Sequence, residues 1–176
     1  MQYLGGKSRI CKILGSFLNS EINRLQPARY IEPFCGSCWV TAEITSSIIR
    51  VACDVHKDLV LLWKALQSGW IPPDRITENE YRALRISPPS PTRAFAGFGC
   101  SFGGKFFAGY ARDPKSTRNY ALNTKNSLLK RIEKLKNVHY ACFDYKSLPI
   151  AKLENRLFYL DPPYEGTTGY KETPIF

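Results

Sequence analysis

Two stretches constrain the fold of this chain more than any others, Arg29-Tyr30-Ile31-Glu32-Pro33 and Ile49-Arg50-Val51-Ala52-Cys53-Asp54. Each is short and rich in β-branched or aromatic residues; the first is stopped by a proline and the second delivers an acid at its carboxyl end. Both therefore read as buried strands. Between them Phe34-Cys35-Gly36-Ser37 reads as a turn, followed by a helix from about Ser37 to Ser47, and a further helix is predicted from His56 to Gln67. A strand, turn, helix, strand and terminal acid in this order predict an α/β fold of parallel strands joined by right-handed crossovers.

The flanking sequence extends the pattern. Ile10, Ile13, Leu14, Phe17, Leu18, Ile22 and Leu25 recur at three- and four-residue spacing, which predicts an amphipathic helix over 8–25, opened by the turn Gly5-Gly6-Lys7-Ser8. The alternation breaks over 71–116, where prolines at 72, 73, 88, 89 and 91 precede a glycine- and aromatic-rich stretch, so this segment reads as an insertion. A helix near 119–136, carrying Leu128, Leu129, Ile132 and Leu135, restores it. Strands follow at Val138–Phe143 and Arg156–Leu160, the last ending at Asp161. The expected organisation is 1–70, an inserted 71–116, and a return over 117–176.

Bulk properties narrow the partners. No apolar run reaches the roughly 18 residues of a membrane span, and no N-terminal leader pattern is present, so a cytosolic protein is expected. The six cysteines lie mostly in apolar stretches, which suits thiols in a reducing compartment and predicts no structural disulfide. A formal charge of +10 on 176 residues favours polyanionic partners. That excess suggests nucleic acid without establishing it.

Asp161-Pro162-Pro163-Tyr164 directly follows the apolar run Leu157-Phe158-Tyr159-Leu160. The two prolines fix a loop at the sheet's carboxyl edge, remove backbone donors and leave carbonyls as acceptors. An exocyclic amine on a base is a poor nucleophile because its lone pair is delocalised into the ring. The Asp161 carboxylate and Pro162 carbonyl can accept its two N–H bonds and localise that pair for in-line attack on a methyl group, while Tyr164 offers a face to an extruded base. The bland alternative is a strand-capping Asp followed by a proline turn.

Pro33-Phe34-Cys35-Gly36-Ser37 could turn backbone amides at a helix start toward a ligand carboxylate or ribose, or it is a plain strand-to-helix turn. Asp54 stands where a ribose-binding acid sits in nucleoside-binding α/β units, with an exposed helix N-cap as the alternative. Cys35 and Cys38 invite a redox or zinc reading, against which stand the lack of a second cysteine pair at zinc spacing and the presence of only two histidines, His56 and His139. Phe98 to Arg112 mixes aromatics, glycines and cations: its rings can stack on bases while Lys105 and Arg112 meet phosphates, or it is a hydrophobic hairpin packed on the domain.

Together these segments resemble the Dam-like, D12 class DNA adenine-N6 methyltransferases, especially the versions found in bacteriophages. Tyr3-Leu4-Gly5-Gly6-Lys7 is similar to the family's N-terminal cofactor motif, Ile31-Glu32-Pro33-Phe34-Cys35-Gly36 to its glycine loop, Phe143-Asp144-Tyr145 to the segment whose acid contacts the cofactor's adenine, and Asp161 to Tyr164 to its catalytic tetrapeptide. The resemblance implies a Rossmann-like S-adenosylmethionine-dependent methyltransferase sheet with an inserted DNA-recognition region. It implies transfer of a methyl group to adenine N6 in double-stranded DNA with base flipping, and no metal. Catalysis would fall to Asp161, Pro162, Pro163 and Tyr164. Cofactor binding would fall to Tyr3, Gly6, Lys7, Glu32, Pro33, Phe34, Cys35, Gly36, Asp54, Asp144 and Asp161, with Lys7 near the methionine moiety and Asp54 on the ribose. DNA contact would fall to Lys105, Phe106, Tyr110, Arg112 and Arg118.

One departure from the family's pattern shapes the remaining expectations. In the family several helices and strands follow the tetrapeptide, whereas twelve residues follow Tyr164 here. The sheet is thus expected to be incomplete on its C-terminal side, with the strand before Asp161 left as an edge. That edge predicts a homodimer or a complementing chain. It also leaves a second reading, a catalytically impaired remnant that binds DNA or cofactor.

Overall fold

The computed structural model describes residues 1, 3, 5–113, 117–147 and 154–163. The chain divides into two compact units, one formed by residues 6–56 and 134–176 and the other by residues 1–5 and 57–133.

The first unit holds α1 (Cys11–Leu25), β1 (Arg29–Glu32), β2 (Ile49–Asp54), β3 (Val138–Cys142) and β4 (Arg156–Phe158). The four strands form one sheet in the order β3-β2-β1-β4, and every pair is parallel. In register, Ile31 lies opposite both Val51 and Phe158, and Asp54 lies opposite Cys142. Leu18, Ile22, Tyr30, Val40 and Ile44 form a buried cluster, joined by Leu14, Ile48, Leu157 and Tyr159. The apolar spacing of α1 thus does what the pattern predicts. The Lys7 carbonyl receives the Ile10 and Cys11 amides at 3.0 and 2.8 Å, which starts the helix, and a left-handed Gln26 (φ 48°) ends it. Gly15 permits close packing, because a Cβ there would strike the Glu43 side chain.

The chain steps from β1 to β2 to β3 in one direction and then returns to the far side of β1 as β4. In parallel sheets such a reversal opens a crevice at the carboxyl ends of the two strands that flank it. Here those strands are β1, ending at Glu32, and β4, three residues before Asp161.

The helix expected from Ser37 to Ser47 is not there. Turns and one 3-10 turn, Thr41–Glu43, occupy the stretch. Gly36 and Cys38 take positive φ, 47° and 53°, and Ile44 is extended, so no run of right-handed residues is long enough for an α-helix. Asn19 of α1 replaces the missing helical hydrogen bonds: its Nδ2 donates to the Glu43 carbonyl at 2.8 Å, and its Oδ1 accepts from the Thr45 and Ser46 amides at 3.0 and 3.3 Å. β4 is also shorter than the predicted 156–160, although the Tyr159 amide still donates to the Ile31 carbonyl at 3.0 Å.

The second unit is helical: α2 (Lys57–Gln67), α3 (Glu78–Arg85), α4 (Pro91–Gly99) and α5 (Tyr120–Ile132). Leu59, Leu62, Trp63, Phe95, Phe98 and Leu128 are wholly buried in it. α3 and α4 lie where the sequence reading found only a break. Their start signals are local and were present: Thr77 and Glu80 form a reciprocal capping box, and Ser90 caps a helix whose first residue is Pro91. Asp58 pairs with Arg93 in a nearly buried contact and also accepts the Ser90 amide at 2.9 Å, tying α2 to the start of α4. The glycines of α4 are contact points. A Cβ on Gly97 would enter the rings of Phe106 and Phe107, and one on Gly99 would lie 2.5 Å from the Thr124 methyl. Among the described residues no helix is long and apolar enough to cross a membrane.

Candidate active site

The carboxyl edge of the sheet gathers the acids that the sequence singled out. Lys7, in the turn before α1, sets its Nζ 2.7 Å from Asp161 Oδ2, with both side chains largely shielded. The Asp161 carboxylate is thereby held beside the mouth of the β1–β4 crevice, while Pro162 and Pro163 behind it are exposed. Tyr164, the last member of the tetrapeptide, lies outside the described residues.

Glu32 ends β1 at 2% exposure. Its Oε2 accepts the Tyr30 hydroxyl at 3.0 Å and, more closely, the Thr41 hydroxyl. Burial pushes its carboxyl up to about 7; the two hydroxyl donors pull the other way and the charge of Asp161 adds to the rise. A carboxyl of this kind carries its proton for much of the time near neutral pH.

The turn after β1 is organised around Asp54 at the end of β2. Asp54 Oδ2 accepts the Gly36 amide and Oδ1 the His56 amide, each at 2.9 Å. The Cys35 amide donates to the Cys53 carbonyl at 2.8 Å and the Cys38 amide to the Cys35 carbonyl at 2.7 Å. Asp54 is 8% exposed, so the exposed-cap reading fails; burial raises its carboxyl and the two amides oppose that. The turn is also not a helix start aimed at an anion, since no α-helix follows and the Gly36 amide is engaged by Asp54. Phe34 packs on Tyr145 with ring centroids 5.2 Å apart, which brings the turn to the Phe143–Tyr145 segment beyond β3. There Asp144 Oδ1 accepts the Lys146 amide at 3.0 Å.

Cys35 and Cys38 are buried thiols. The hydrogen bond with Cys38, followed by burial, drives the Cys35 thiol well above the usual range, and burial takes Cys53 up to about 12. Thiols held this far from ionisation are poor nucleophiles. Among the described residues no group of three or more His, Cys, Asp or Glu side chains is gathered to hold a metal ion.

The unit therefore offers a reversal of strand order between β1 and β4 with a Lys–Asp pair beside it, a turn with a left-handed glycine, and acids at the end of β2 and just past β3. Residues 3–86 match the model of the family described as D12 class N6 adenine-specific DNA methyltransferase. Over that stretch the chain is similar to that class. The match takes in Lys7, Glu32 to Gly36 and Asp54, and the four-stranded parallel sheet is consistent with the Rossmann-like methyltransferase fold. This is an enzyme family that methylates adenine N6 in DNA, and the similarity implies use of S-adenosylmethionine. The donor set fits such a cofactor: acids at the ends of β2 and β3 suit hydroxyl and amine donors, and Gly36 in a left-handed conformation leaves the turn without a side chain. No curated protein matches the chain.

The remaining candidate residues lie in the helical unit, as does Tyr3, whose ring packs on Phe98 at 5.2 Å. Residues 101–110 form a loop closed by an antiparallel bridge between Ser101 and Tyr110, with Gly103, Gly104 and Gly109 at positive φ. Phe106 sits within an aromatic cluster, 4.6 Å from Phe98 and 4.8 Å from Phe107, under the Arg93 guanidinium at 5.1 Å. Its ring is committed to packing. Tyr110 donates its hydroxyl to the Ile76 carbonyl at 2.7 Å, and Arg112 forks onto Glu78 at 2.6 and 2.7 Å. Lys105 is half-buried and Arg118 is exposed, its guanidinium 5.9 Å from the Tyr120 ring.

The sequence reading missed Tyr30 and Thr41 as the donors to Glu32, Phe102 as the exposed ring of the loop at 79% exposure, and Arg75. Phe102 had a signal, an aromatic directly before Gly103-Gly104. Thr41 had none, because its role depends on a turn that the sequence presented as helix.

Proposed function

We propose that this chain transfers a methyl group to the N6 amine of adenine in double-stranded DNA, with the target base flipped out of the duplex. The observation that carries the reading is Asp161, paired with Lys7 at the carboxyl edge of a parallel sheet, next to the point where strand order reverses. S-adenosylmethionine, when bound, supplies the methyl group. The chain's own residues do the rest. Asp161 and the Pro162 carbonyl accept the two N–H bonds of N6, which concentrates its lone pair in line with the donor. Lys7 keeps the Asp161 carboxylate oriented and lies toward the methionine end. Asp54 and Asp144 accept from the ribose and the adenine of the cofactor, and Glu32 to Gly36 shape the turn against it. Tyr164 covers the flipped base.

Residues 71–116 act as the DNA-recognition insertion, with Lys105, Tyr110 and Arg112 toward the duplex and Arg118 just beyond it. Among the described residues β4 pairs only with β1, and Leu160 just beyond it is 59% exposed, which supports a second copy or complementing chain along that edge. The site of action is the cytoplasm of a bacterial or phage-infected cell, where the DNA is.

Purified chain incubated with methyl-labelled S-adenosylmethionine and unmethylated duplex tests the chemistry. Label in N6-methyladenine, abolished in Asp161→Ala, is the expected result. Duplex binding with no transfer above the D161A background refutes it and favours a protein that acts by occupancy.

A further inference from the structure

The helical unit contains a cavity of about 380 Å³ that the methyl-transfer chemistry does not use. Residues 75–76, 110–113 and 117–121 make its wall together with Cys100, and Arg75, Arg112 and Arg118 line it with Tyr110, Tyr120 and the carboxylate of Asp113. Its volume falls at the lower end of ligand clefts, roughly 300–1,000 Å³. The wall is braced from behind. Tyr110 is tied to the Ile76 carbonyl, Asn119 Nδ2 donates to the Asp74 carbonyl at 3.0 Å, and Asp113 Oδ2 accepts the Thr117 and Arg118 amides at 3.1 and 2.9 Å.

The charge around this space is only partly balanced. Arg112 is committed to Glu78, and Asp113, the one acid in the lining among the described residues, accepts the Thr117 and Arg118 amides and the Thr117 hydroxyl. Among the described residues neither Arg75 nor Arg118 is in an ion pair, and Glu80 feels Arg75 only as the smallest influence on its carboxyl. Arg75, Arg112 and Arg118 all line this one space. The amino end of α5, at Tyr120, adds partial positive charge of the same sign.

An open, braced, polar hollow with guanidinium forks and two tyrosine rings suits a phosphodiester and its sugar. Guanidinium matches phosphate geometry in two-point contact. We propose that this cavity seats a backbone phosphate of the DNA duplex, gripped by Arg75 and Arg118, and so sets the position of the strand relative to the target base. The proposal rests on the reading of duplex DNA as substrate. It adds Arg75, and it assigns Arg118 to the backbone rather than to a base edge.

The test is equilibrium binding of a fluorescently labelled unmethylated duplex across a salt series of about 50–200 mM. Arg75→Ala and Arg118→Ala should each reduce the slope of log affinity against log salt by about 1, and the double variant by about 2, equally on duplexes of unrelated sequence. Arg118→Lys should keep most of the slope, because the charge remains. Arg24→Ala, which removes an exposed arginine paired with Glu21 in the other unit, is the control expected to leave it unchanged. R75A and R118A should raise KM for DNA, and R118K should restore most of it. Unchanged thermal midpoints would confirm that the variants fold.

A wild-type slope and affinity in the double variant overturns the proposal. So does arginine-dependent binding of inorganic phosphate or adenosine 5′-monophosphate with duplex binding untouched, which would mark a small-molecule site. A chain that binds duplex through Arg75 and Arg118 but transfers no methyl group leaves this site standing and removes only the catalytic reading.

Discussion

Glu32 gives the most direct handle on the site, because replacing it by Gln removes an ionisation and little else. The Gln carbonyl oxygen can accept from Tyr30 and Thr41 as Oε2 does now. In the folded chain the Glu32 carboxyl lies at about 7, against an ordinary 4.5. The folded state therefore holds the proton more tightly than the unfolded chain. Stability from this group is fully present below about pH 4.5, declines as pH rises, and is lost above about 7. At about 1.4 kcal/mol per pH unit the decline amounts to about 3 kcal/mol. Against a total of roughly 5–15 kcal/mol that is a large fraction. Urea unfolding of wild type and E32Q, followed by circular dichroism at about pH 4 and pH 8, reads it out. The two chains should be nearly equal at the acid end, with E32Q the more stable by about 3 kcal/mol at the alkaline end. Asp54 is also raised by burial, but it is present in both chains and cancels in the difference. A wild-type to E32Q difference that is the same at both pH values would refute the argument, since it would mean Glu32 ionises equally in the folded and unfolded states.

Three further outcomes follow from packing and pairing. Lys7→Ala and Asp161→Ala should be non-additive in stability by about 1–3 kcal/mol in a double-mutant cycle, and strict additivity would show that the pair is not coupled. Gly97→Ala pushes a methyl into the rings of Phe106 and Phe107 and should cost about 1–3 kcal/mol by urea unfolding; wild-type stability would mean that those rings repack freely. Thr77→Ala removes the hydroxyl half of the α3 capping box and should cost about 1 kcal/mol, while Thr77→Ser should recover most of it; equal losses in the two would exclude capping as the cause.

Much of the sheet unit was legible because its strands announce themselves locally. Arg29–Glu32 and Ile49–Asp54 are bounded by residues that cannot continue a strand or that begin a turn, and both appear as read. α1, α2 and α5 follow from three- and four-residue apolar spacing, which maps onto one buried face. The segment 71–116 was less legible. Its prolines were taken as breaks, yet Pro91 opens a helix, where its missing N–H costs nothing. Gly97 and Gly99 of α4 are small because Phe106, Phe107 and Thr124 occupy the space beside them.

The sequence by itself singled out the candidates for chemistry: Glu32, Asp54, Asp144 and Asp161 at or just past strand ends, and Lys7 in the turn before the first helix. Only the tertiary structure decided how they are used. The return of β4 to the far side of β1 puts Asp161 within 2.7 Å of Lys7 across more than a hundred residues of chain, a pairing that no local pattern encodes. The left-handed Cys38 dissolves the expected helix, and the turn that replaces it carries Thr41 onto Glu32. The physical reason is the same in both cases. Strand and helix propensities act over a few residues, whereas the environment of a buried carboxylate is set by whichever distant segments the sheet brings to its edge.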